Sequence, residues 1–504
     1  MKRLIIPAAL FLLLFTSINM LSADKTGYDP EKTVLIVSRN EPTISFRIWF
    51  KVGSQDDPAG KEGLANLTAD MLSEGGTLGN SYEAILKKLF PMAASYYASA
   101  RTEMTIFGGK IHKDNLDAFY ELFIDQLLNP SFNEEAFSRV KENTLNYLKT
   151  TLKYSSDEEL GKAVLYNKVF DNTRYGHITV GTITGVESIT IDDVKKFFKT
   201  YYNRNNFVLG MAGGFDNNLP AKVFADLQKL SDGKENIVKA PEPAKINGLN
   251  VTIVNKNANA TAISMGFPID ILRGSKDWYA LAIANSYLGE HRNSSSHLYQ
   301  VIREARGLNY GDYSYIENFP NGGRYQKPPT NVCRNKQIFE IWIRPVPNET
   351  KHFSLRAAMR ELKFLVDNGL TRDQFELTRK FLKKYVLQFA PDLDQRLGYA
   401  IDDKFYGLKE SHLKTYREMM DKLTLEDVNN AIRKHLQYKN MEIVMITNEG
   451  ESLKEALVNN TPSPITYATP KPESVLTEDK EIIGFRLDIM NDKVNFKTLE
   501  ELFK

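Results

Sequence analysis

The stretch ITIDDVKKFFKTYYNRNN at residues 189–206 recurs in diverged form as LTLEDVNNAIRKHLQYKN at residues 423–440. Val194 of the first stretch aligns with Val428 of the second, 234 residues later. Two other pairs of segments follow the same order along the chain: residues 133–149 with 371–387, and residues 34–37 with 251–254. The spacing between partners drifts, as loop insertions would make it, while the order is kept. The chain therefore contains two diverged copies of one domain.

Each copy has the same predicted order of strands and helices. Two strands with alternating apolar residues come first, TVLIVSRN and TISFRIWFKVGS in one copy, NVTIVNKN and ATAISMGFPI in the other. A helix and further strands follow, then long helices with apolar residues three or four positions apart, and finally a helix and a strand. Helices segregated to one face of a mixed sheet are typical of an α+β sandwich. We therefore predict two homologous α+β sandwich domains.

The predicted domain boundaries follow changes in composition. The first copy spans residues 33–230 and the second spans residues 248–457. Between them, residues 231–247 are polar and contain two prolines, which is typical of a linker. Residues 458–504 begin with a turn-rich stretch, end in a short apolar tail, and form a predicted C-terminal extension.

Charge and cysteine content exclude several classes of protein. The chain has 65 Lys and Arg against 63 Asp and Glu, so no charge excess favours nucleic acid as a partner. Cys333 is the only cysteine among 504 residues. An internal disulfide is therefore excluded, and so is a zinc site built on several thiolates.

The N-terminus has the pattern of a signal peptide at residues 1–23. Lys2 and Arg3 precede the apolar run LIIPAALFLLLF, and Ala23 is a small residue at the expected cleavage point. The apolar run is shorter than the ~20 residues that a spanning helix needs. We expect export, to the periplasm in a bacterium with two membranes, and no membrane span after cleavage. A retained N-terminal membrane anchor is the alternative.

A second stretch, KEGLANLTADMLSEGGT at residues 61–77, has the frame of a metal-binding helix, but its central window has neither histidine nor glutamate. Through the segments at residues 51–77, 171–216 and 294–315, the chain resembles the pitrilysin, or insulinase, family of metallopeptidases. The resemblance runs from about residue 33 to about residue 457. It implies that two homologous halves form a clamshell around a peptide.

Active members of that family carry H-x-x-E-H in this window, where two imidazoles bind zinc and the glutamate takes a proton from the metal-bound water. The resemblance places Asn66 and Asp70 at the two histidines, Ala69 at the base, and Tyr147 near the distant glutamate ligand. An amide is a poor zinc ligand and a methyl group moves no proton. The resemblance therefore predicts a degenerate site, with no bound zinc and no hydrolysis by this chain alone.

The second copy keeps a pair of residues that the resemblance links to substrate. Arg303 precedes Tyr310 by seven positions in IREARGLNY, the spacing at which the family's arginine and tyrosine reach a peptide from the half opposite the zinc. Guanidinium and phenol groups can hold a carbonyl and stabilise its oxyanion. Arg306 is the second candidate for the arginine, at the wrong spacing. A structural arginine and a tyrosine at a strand start remain the alternative.

Two further features are weaker candidates. His291 and His297 are the closest histidine pair, but we interpret EHRNSSSH as a solvated loop and not as a metal site. The resemblance makes SYYASARTE, residues 95–103, the edge strand to which a bound peptide adds.

The predicted function is a non-catalytic, substrate-binding subunit of a heterodimeric zinc-dependent peptidase. Arg303 and Tyr310 would serve the zinc site of a partner chain, which alone would carry the metal and the base. The substrate would be a peptide or unfolded polypeptide. The alternative is an inactive homologue that acts as a peptide-binding or structural scaffold in the cell envelope.

Overall fold

The computed structural model describes residues 27–320, 322 and 325–504. The predicted signal peptide, residues 1–23, lies outside the described residues. Within them, no helix combines the length and the apolar character needed to cross a membrane.

The first half of the molecule contains five strands and a larger set of helices in the described chain. Its elements are β1 (Thr33–Val37), β2 (Thr43–Phe50), α1 (Leu64–Glu74), α2 (Tyr82–Leu89), β3 (Ser95–Ala100), β4 (Thr105–His112), α3 (Leu116–Leu128), α4 (Glu134–Asn146), a π-helical turn (Tyr147–Thr151), α5 (Leu152–Tyr154), α6 (Asp157–Val169), α7 (Ile183–Ser188), α8 (Ile191–Tyr201), β5 (Phe207–Gly213) and α9 (Asn218–Leu227).

The second half repeats this arrangement and continues into the C-terminal extension. Its elements are β6 (Leu249–Asn255), β7 (Ala260–Ile269), α10 (Lys276–Gly289), a π-helical turn (Tyr299–Glu304), β8 (Asp312–Tyr315), β9 (Gln337–Pro347), α11 (Lys351–Asn368), α12 (Arg372–Tyr385), α13 (Leu393–Phe405), α14 (His412–Lys422), α15 (Leu425–His435), β10 (Met441–Thr447), α16 (Gly450–Val458), α17 (Glu473–Ile483) and β11 (Val494–Lys497).

The two sheets have the same topology, which confirms the predicted duplication and the α+β class. The first sheet has the order β1-β5-β2-β4-β3, and the second has β6-β10-β7-β9-β8 with β11 added outside β6. In each sheet the first pair of this shared order is parallel and the remaining pairs are antiparallel. The predicted linker, residues 231–247, contains neither helix nor strand.

Equivalent helices begin in the same way because the repeat keeps their caps. Thr190 starts α8 and Thr424 starts α15, and each forms a reciprocal capping box with an aspartate three residues later, Asp193 and Asp427. Such a box satisfies two backbone N–H groups that the helix itself cannot pair. The local signal that marks the repeat in the sequence therefore also fixes where these helices begin.

One face of each sheet packs on helices from its own half. In the first half, the rings of Phe46 in β2 and Phe107 in β4 lie 5.3 and 4.6 Å from the ring of Phe123 in α3. All three are fully buried, as the amphipathic pattern of α3 predicts. The equivalent core of the second half is separate from this one.

The opposite face of each sheet is covered by a helix from the other half, which the prediction of helices on one face missed. α13 lies on the first sheet, where Leu397 and Ile401 join a buried cluster with Trp49 and Val208. α6 lies on the second sheet in the same manner. The two helices begin at residues 157 and 393, 236 positions apart, so they are equivalents in the repeat. We call α6 and α13 the exchanged helices.

Candidate functional site

The degenerate motif lies on α1, and the start of that helix is held from two directions. The Asp57 carboxylate accepts hydrogen bonds from the backbone N–H groups of Gly63 and Ala65, both at 2.7 Å. Gly63 has a φ of 110° and lies so close to the Val180 carbonyl that a Cβ would sit 2.7 Å from it. Only glycine adopts this conformation without strain. α1 is therefore locked against the loop that contains Val180.

Three of the four degenerate positions meet in one cavity of about 450 Å³, which we call the interhalf cavity. Asn66 and Asp70 line it from α1, and Tyr147 lines it from the π-helical turn after α4. The Asn66 side-chain amide donates a hydrogen bond of 2.7 Å to the Asp70 carboxylate. Ala69 is only 1% exposed, belongs to the first-half core and does not line the cavity.

The carboxyl of Asp70 is the unusual acid of this site. Burial, and secondarily the nearby carboxylate of Glu74, raises its pKa to about 7, against a smaller lowering effect of the Asn66 hydrogen bond. Burial also raises the pKa of the Tyr147 phenol. Asp70 is therefore half-protonated near neutral pH, and Tyr147 stays neutral there.

Two other acids of the cavity have cationic partners. Glu74 pairs with Arg139 at 2.5 Å, and Glu159 lies 3.6 Å from the Lys162 ammonium. In the described chain no Lys, Arg or His lies within 4 Å of the Asp70 carboxylate. Asp70 thus contributes uncompensated negative charge whenever it ionises.

The second half supplies the opposite wall of the cavity. The Arg334 guanidinium, 2% exposed, packs against the rings of Tyr166 and Phe170 at 4.9 and 5.1 Å. The Tyr166 hydroxyl donates to the Asn318 side chain at 2.9 Å, and Lys162 donates to the Phe319 carbonyl at 2.8 Å. The exchanged helix α6 therefore joins both halves at this cavity through polar side chains.

The residues at the cavity do not fit a zinc ion. Zinc sites in peptidases need three deprotonated N, O or S ligands, and here an amide already bound to the carboxylate and a buried neutral phenol stand at two of the positions. Over residues 27–320, 322 and 325–504, no three His, Cys, Asp or Glu side chains are grouped so that they could hold a metal. We derive no chemistry from a metal at this site.

The structure does not bring Arg303 and Tyr310 to the interhalf cavity. Arg303 pairs with the neighbouring Glu304 and lies 5.1 Å from the ring of Tyr299. Tyr310 is 80% exposed. Neither side chain is among the described residues that line the cavity. Whether they contact substrate on another chain stays a prediction.

Arg306 has a structural role that its sequence position did not indicate. Its guanidinium is buried and pairs with Asp479 and Glu478 of α17, each at 2.8 Å. It also donates to the Val301 carbonyl at 2.7 Å. Arg306 therefore anchors the C-terminal extension to the second half.

The interpretation of EHRNSSSH as a solvated loop is wrong for its first histidine. His291 is 5% exposed, and its ring nitrogens contact the Tyr315 hydroxyl at 2.6 Å and the Tyr325 carbonyl at 2.9 Å. His297 pairs instead with Glu361 at 2.6 Å. The two imidazoles have different partners and form no common site.

The predicted edge strand, β3, is at the edge of the first sheet but is partly occupied. The Ala98 N–H, which points away from β4, donates to the Ser73 hydroxyl of α1 at 2.7 Å. The Arg101 guanidinium donates to the Tyr325 hydroxyl of the second half at 3.3 Å. An added strand would have to displace the Ser73 contact.

Models of one peptidase family match most of the chain. The model of the insulinase peptidase family M16 matches residues 32–183, and the model of the peptidase M16 inactive domain matches residues 188–382. The chain belongs to the M16 peptidase family. The matched ranges cover more than half of the 504 residues and contain both the degenerate window and the Arg303–Tyr310 pair.

The similar proteins are named either as zinc proteases or as non-peptidase homologs. An uncharacterized zinc protease of Streptomyces coelicolor is 23% identical over 67% of this chain and 71% of its own. A protein of Helicobacter pylori described as a non-peptidase homolog is 22% identical over 89% of this chain and 99% of its own. The crystal structure of a peptidase M16 inactive domain from Pseudomonas fluorescens superposes with a TM-score of 0.73, at 22% identity over 84% of this chain and 97% of that one. This superposition confirms the fold.

Several residues that line the interhalf cavity were not predicted from the sequence. Lys162 and Tyr166 lie on α6 and Arg334 lies in the segment between β8 and β9, far from the recognised window. The available signal was weak: Glu158 and Lys162 are charged residues among the apolar residues that α6 buries. A buried lysine on such a helix needs partners, and here Glu159 of the same helix is joined by the Phe319 carbonyl of the other half.

Proposed function

We propose that this M16 chain is a non-catalytic, substrate-binding subunit that works with a separate zinc-bearing M16 chain. It would bind an extended peptide or unfolded polypeptide, while the partner supplies the metal and the general base. Zinc is expected in the partner only.

One observation carries this proposal. The positions that hold zinc in active relatives meet in a cavity of about 450 Å³, yet they present an amide, a carboxylate and a neutral phenol. That volume lies within the usual range of ligand pockets. The site has therefore kept a binding cavity lined by polar groups and lacks the groups for metal-assisted hydrolysis.

The exposure of Tyr310 supports a role towards another chain. A side chain that is 80% exposed and does not line the cavity of its own chain is free to contact a second protein. Arg303, on the preceding π-helical turn, is also partly exposed. The pair would then hold a substrate carbonyl at the zinc of the partner.

The test compares this chain alone with its mixture with a zinc-bearing M16 chain from the same organism. Alone, the chain should contain no stoichiometric zinc and should not hydrolyse a mixture of unfolded polypeptides. Mixed, it should co-elute with the zinc-bearing chain and raise its turnover. About one tightly held zinc per isolated chain, or hydrolysis by it, would contradict the proposal.

Substitutions of Arg303 and Tyr310 then test whether this pair acts on the substrate. Tyr310→Phe should lower turnover of the mixed complex by roughly 10²-fold, the loss expected for one oxyanion donor. Arg303→Lys should also lower it, because an ammonium does not reproduce a planar fork of donors. Tyr154→Phe, at a 59% exposed tyrosine of the first half, is the matched control and should leave turnover unchanged.

The scaffold function is the second candidate, and the Arg303–Glu304 ion pair favours it. A guanidinium already paired with a carboxylate is less available to a substrate. If the mixed complex forms but both substitutions leave its turnover at the wild-type value, the chain is a scaffold.

We also propose that the chain is exported and cleaved near Ala23. The support is the pattern of residues 1–23 alone. Intact mass of the protein from an envelope fraction tests it, since a chain that still begins at Met1 would favour the N-terminal anchor.

A further inference from the structure

The last residues of the chain cross from the second half to the first. β11 extends the second sheet beside β6. The chain then makes a short turn at Leu499–Glu501, and Leu502 and Phe503 insert into the first-half core, where they are 6% and 5% exposed. The segment thus begins as part of one half and ends as part of the other.

Polar contacts fix this crossing on the first half. The Lys153 ammonium donates to the Leu499 carbonyl, and the Ile183 N–H donates to the Phe503 carbonyl at 2.6 Å. The N–H of Ile183 is one of the donors at the start of α7 that find no partner within that helix. The backbone of the terminal residues therefore completes the hydrogen bonding of a first-half helix.

The preceding part of the extension is held on the second half. Arg306 pairs with Asp479 and Glu478, and Arg360 pairs with Glu481 at 2.5 Å. Because α17 is anchored by these ion pairs, of which the Arg306–Asp479 pair is buried, the residues after it stay tethered to the second half when undocked.

The contact points adjoin the wall of the interhalf cavity. Lys153 directly follows Leu152, and Ile183 follows the segment 177–180; Leu152 and that segment both line the cavity. Displacing the terminal residues would remove support from both parts of this wall. Val180 in turn touches Gly63 at the start of α1, which carries Asn66 and Asp70.

Docking of the last residues imposes conformational strain on the backbone at Phe503. Phe503 has a φ of 59°, a left-handed conformation that a bulky side chain rarely adopts. Burial of its ring and its carbonyl hydrogen bond offset this cost. A short segment whose backbone strain is set against its contacts is suited to reversible release.

We propose that residues 499–503 are a latch on the cavity wall. Docked, they hold the wall formed by Leu152 and residues 177–180 in the observed position. Undocked, they free this wall and admit ligand to the interhalf cavity. The latch goes beyond the proposed function, and its test uses no peptide and no partner chain.

Hydrogen exchange measured by mass spectrometry on the full chain tests the latch. Removal of residues 502–504 should raise exchange at residues 177–183 by about tenfold or more, while the strands of both sheets keep their protection. Lys504→Ala, at an exposed residue, is the matched control, because it keeps the Phe503 carbonyl in a peptide bond, and it should change nothing. Unchanged exchange at residues 177–183 in the shorter chain would overturn the proposal.

A second measurement needs no variant, in case the shortened chain fails to fold. In the unaltered protein, residues 499–503 and 177–183 should exchange with the same opening rate and faster than β5. Exchange of residues 177–183 only together with β5 would show that the wall opens by global unfolding, and would also overturn the latch.

Discussion

The Asp70 carboxyl bears on two properties of the chain, the expected absence of zinc from the site and the stability of the fold. The resemblance to the family places it at a zinc-ligand position, and burial raises its pKa to about 7. A metal would supply the positive charge that this position lacks here. The chain instead holds the carboxyl with one amide, Asn66, which leaves ionisation unfavourable.

The Asp70→Asn variant should show the resulting pH dependence. The pKa of Asp70 is above its ordinary value of 3.8 in the folded chain, so the folded state binds more protons than the unfolded state between about pH 4 and pH 7. Its contribution to stability therefore falls as pH rises through this window. At pH 4 variant and wild type should be similar, and at pH 8 the variant should be more stable by about 4 kcal/mol, since the pKa is raised from 3.8 to about 7.

Urea unfolding at several pH values measures this difference. Asp192→Asn, at a carboxylate whose side chain is 89% exposed, is the control for the loss of one surface carboxylate. A constant difference for Asp70→Asn would contradict the raised pKa.

A zinc site should be recoverable from the same geometry. Combined Asn66→His, Asp70→His and Tyr147→Glu substitutions place two imidazoles and a carboxylate around one cavity, and the variant should bind about one zinc per chain. It should not hydrolyse peptides, because Ala69 provides no base. Elemental analysis and chelator competition measure the binding.

The matched variant replaces Asn143 instead of Tyr147 by glutamate. Asn143 lines the same cavity one helical turn earlier, so its carboxylate should be misplaced and zinc should bind at least about tenfold more weakly. Equal affinity of the two variants would show that Tyr147 is not the position of the distant ligand.

At this scale the sequence predicted what lies in recognisable windows. Asn66, Asp70 and Tyr147 were placed by resemblance, and the structure brings them to one cavity. Lys162 and Arg334 were missed because the partners that place them at the cavity, Phe319 and Tyr166, lie more than 150 residues away along the chain, and nothing local identifies such partners.

At the scale of elements, the exchanged helices carry a glycine at equivalent points. Gly161 lies in α6 and Gly398 in α13, where each helix approaches the sheet of the other half. A Cβ at Gly161 would lie 3.2 Å from the Ser264 hydroxyl of β7, and one at Gly398 would lie 2.6 Å from the Arg47 guanidinium of β2. The Cβ at Gly398 would also lie 2.3 Å from the Thr330 hydroxyl of its own half, so the contacts at Gly398 are the closer ones.

Alanine at the two positions should therefore have different effects. Gly398→Ala should destabilise the protein by about 2 kcal/mol, because the methyl group would meet Thr330 and, at 2.6 Å, the Arg47 guanidinium. At Gly161→Ala the gain in helix propensity of about 1 kcal/mol opposes a mild clash, so stability should change little. Thermal unfolding of both variants checks this, and equal losses would contradict it.

The repeat predicted the order of elements because strand alternation, helix periodicity and capping boxes are local. The exchange of α6 and α13 was not predicted, because an apolar stripe indicates that a helix is buried without indicating which sheet covers it. Residues 458–504 were predicted as a separate extension for the same reason, because local patterns do not indicate which sheet or helix a segment packs on. β11 nevertheless joins the second sheet and α17 packs on α11.

At the scale of the whole molecule, neither half has a complete core of its own. Without α13 the first sheet would expose Trp49, Ile106 and Val208, and without α6 the second would expose a similar face. Polar contacts such as the Arg47–Asp394 pair at 2.6 Å also span the halves. The duplicated domains are thus parts of one folding unit.

Separate production of residues 27–247 and 248–504 should test this interdependence. Each fragment alone should aggregate or bind a hydrophobic dye, because it exposes a contiguous apolar face. Produced together they should form a one-to-one complex with the mass of the intact chain. The control is the intact chain cut within residues 231–247, which should stay associated. A monomeric, folded fragment would contradict the prediction.

The exchanged helices also impose a delay during synthesis. The first sheet is complete once residue 213 has left the ribosome, but α13 begins only at residue 393, 180 residues later. At about 5–20 residues per second, the nascent chain keeps this sheet face bare for roughly 10–40 seconds. Over that interval the first half is a client for any chaperone that binds apolar strands, and a slower ribosome would lengthen its dependence.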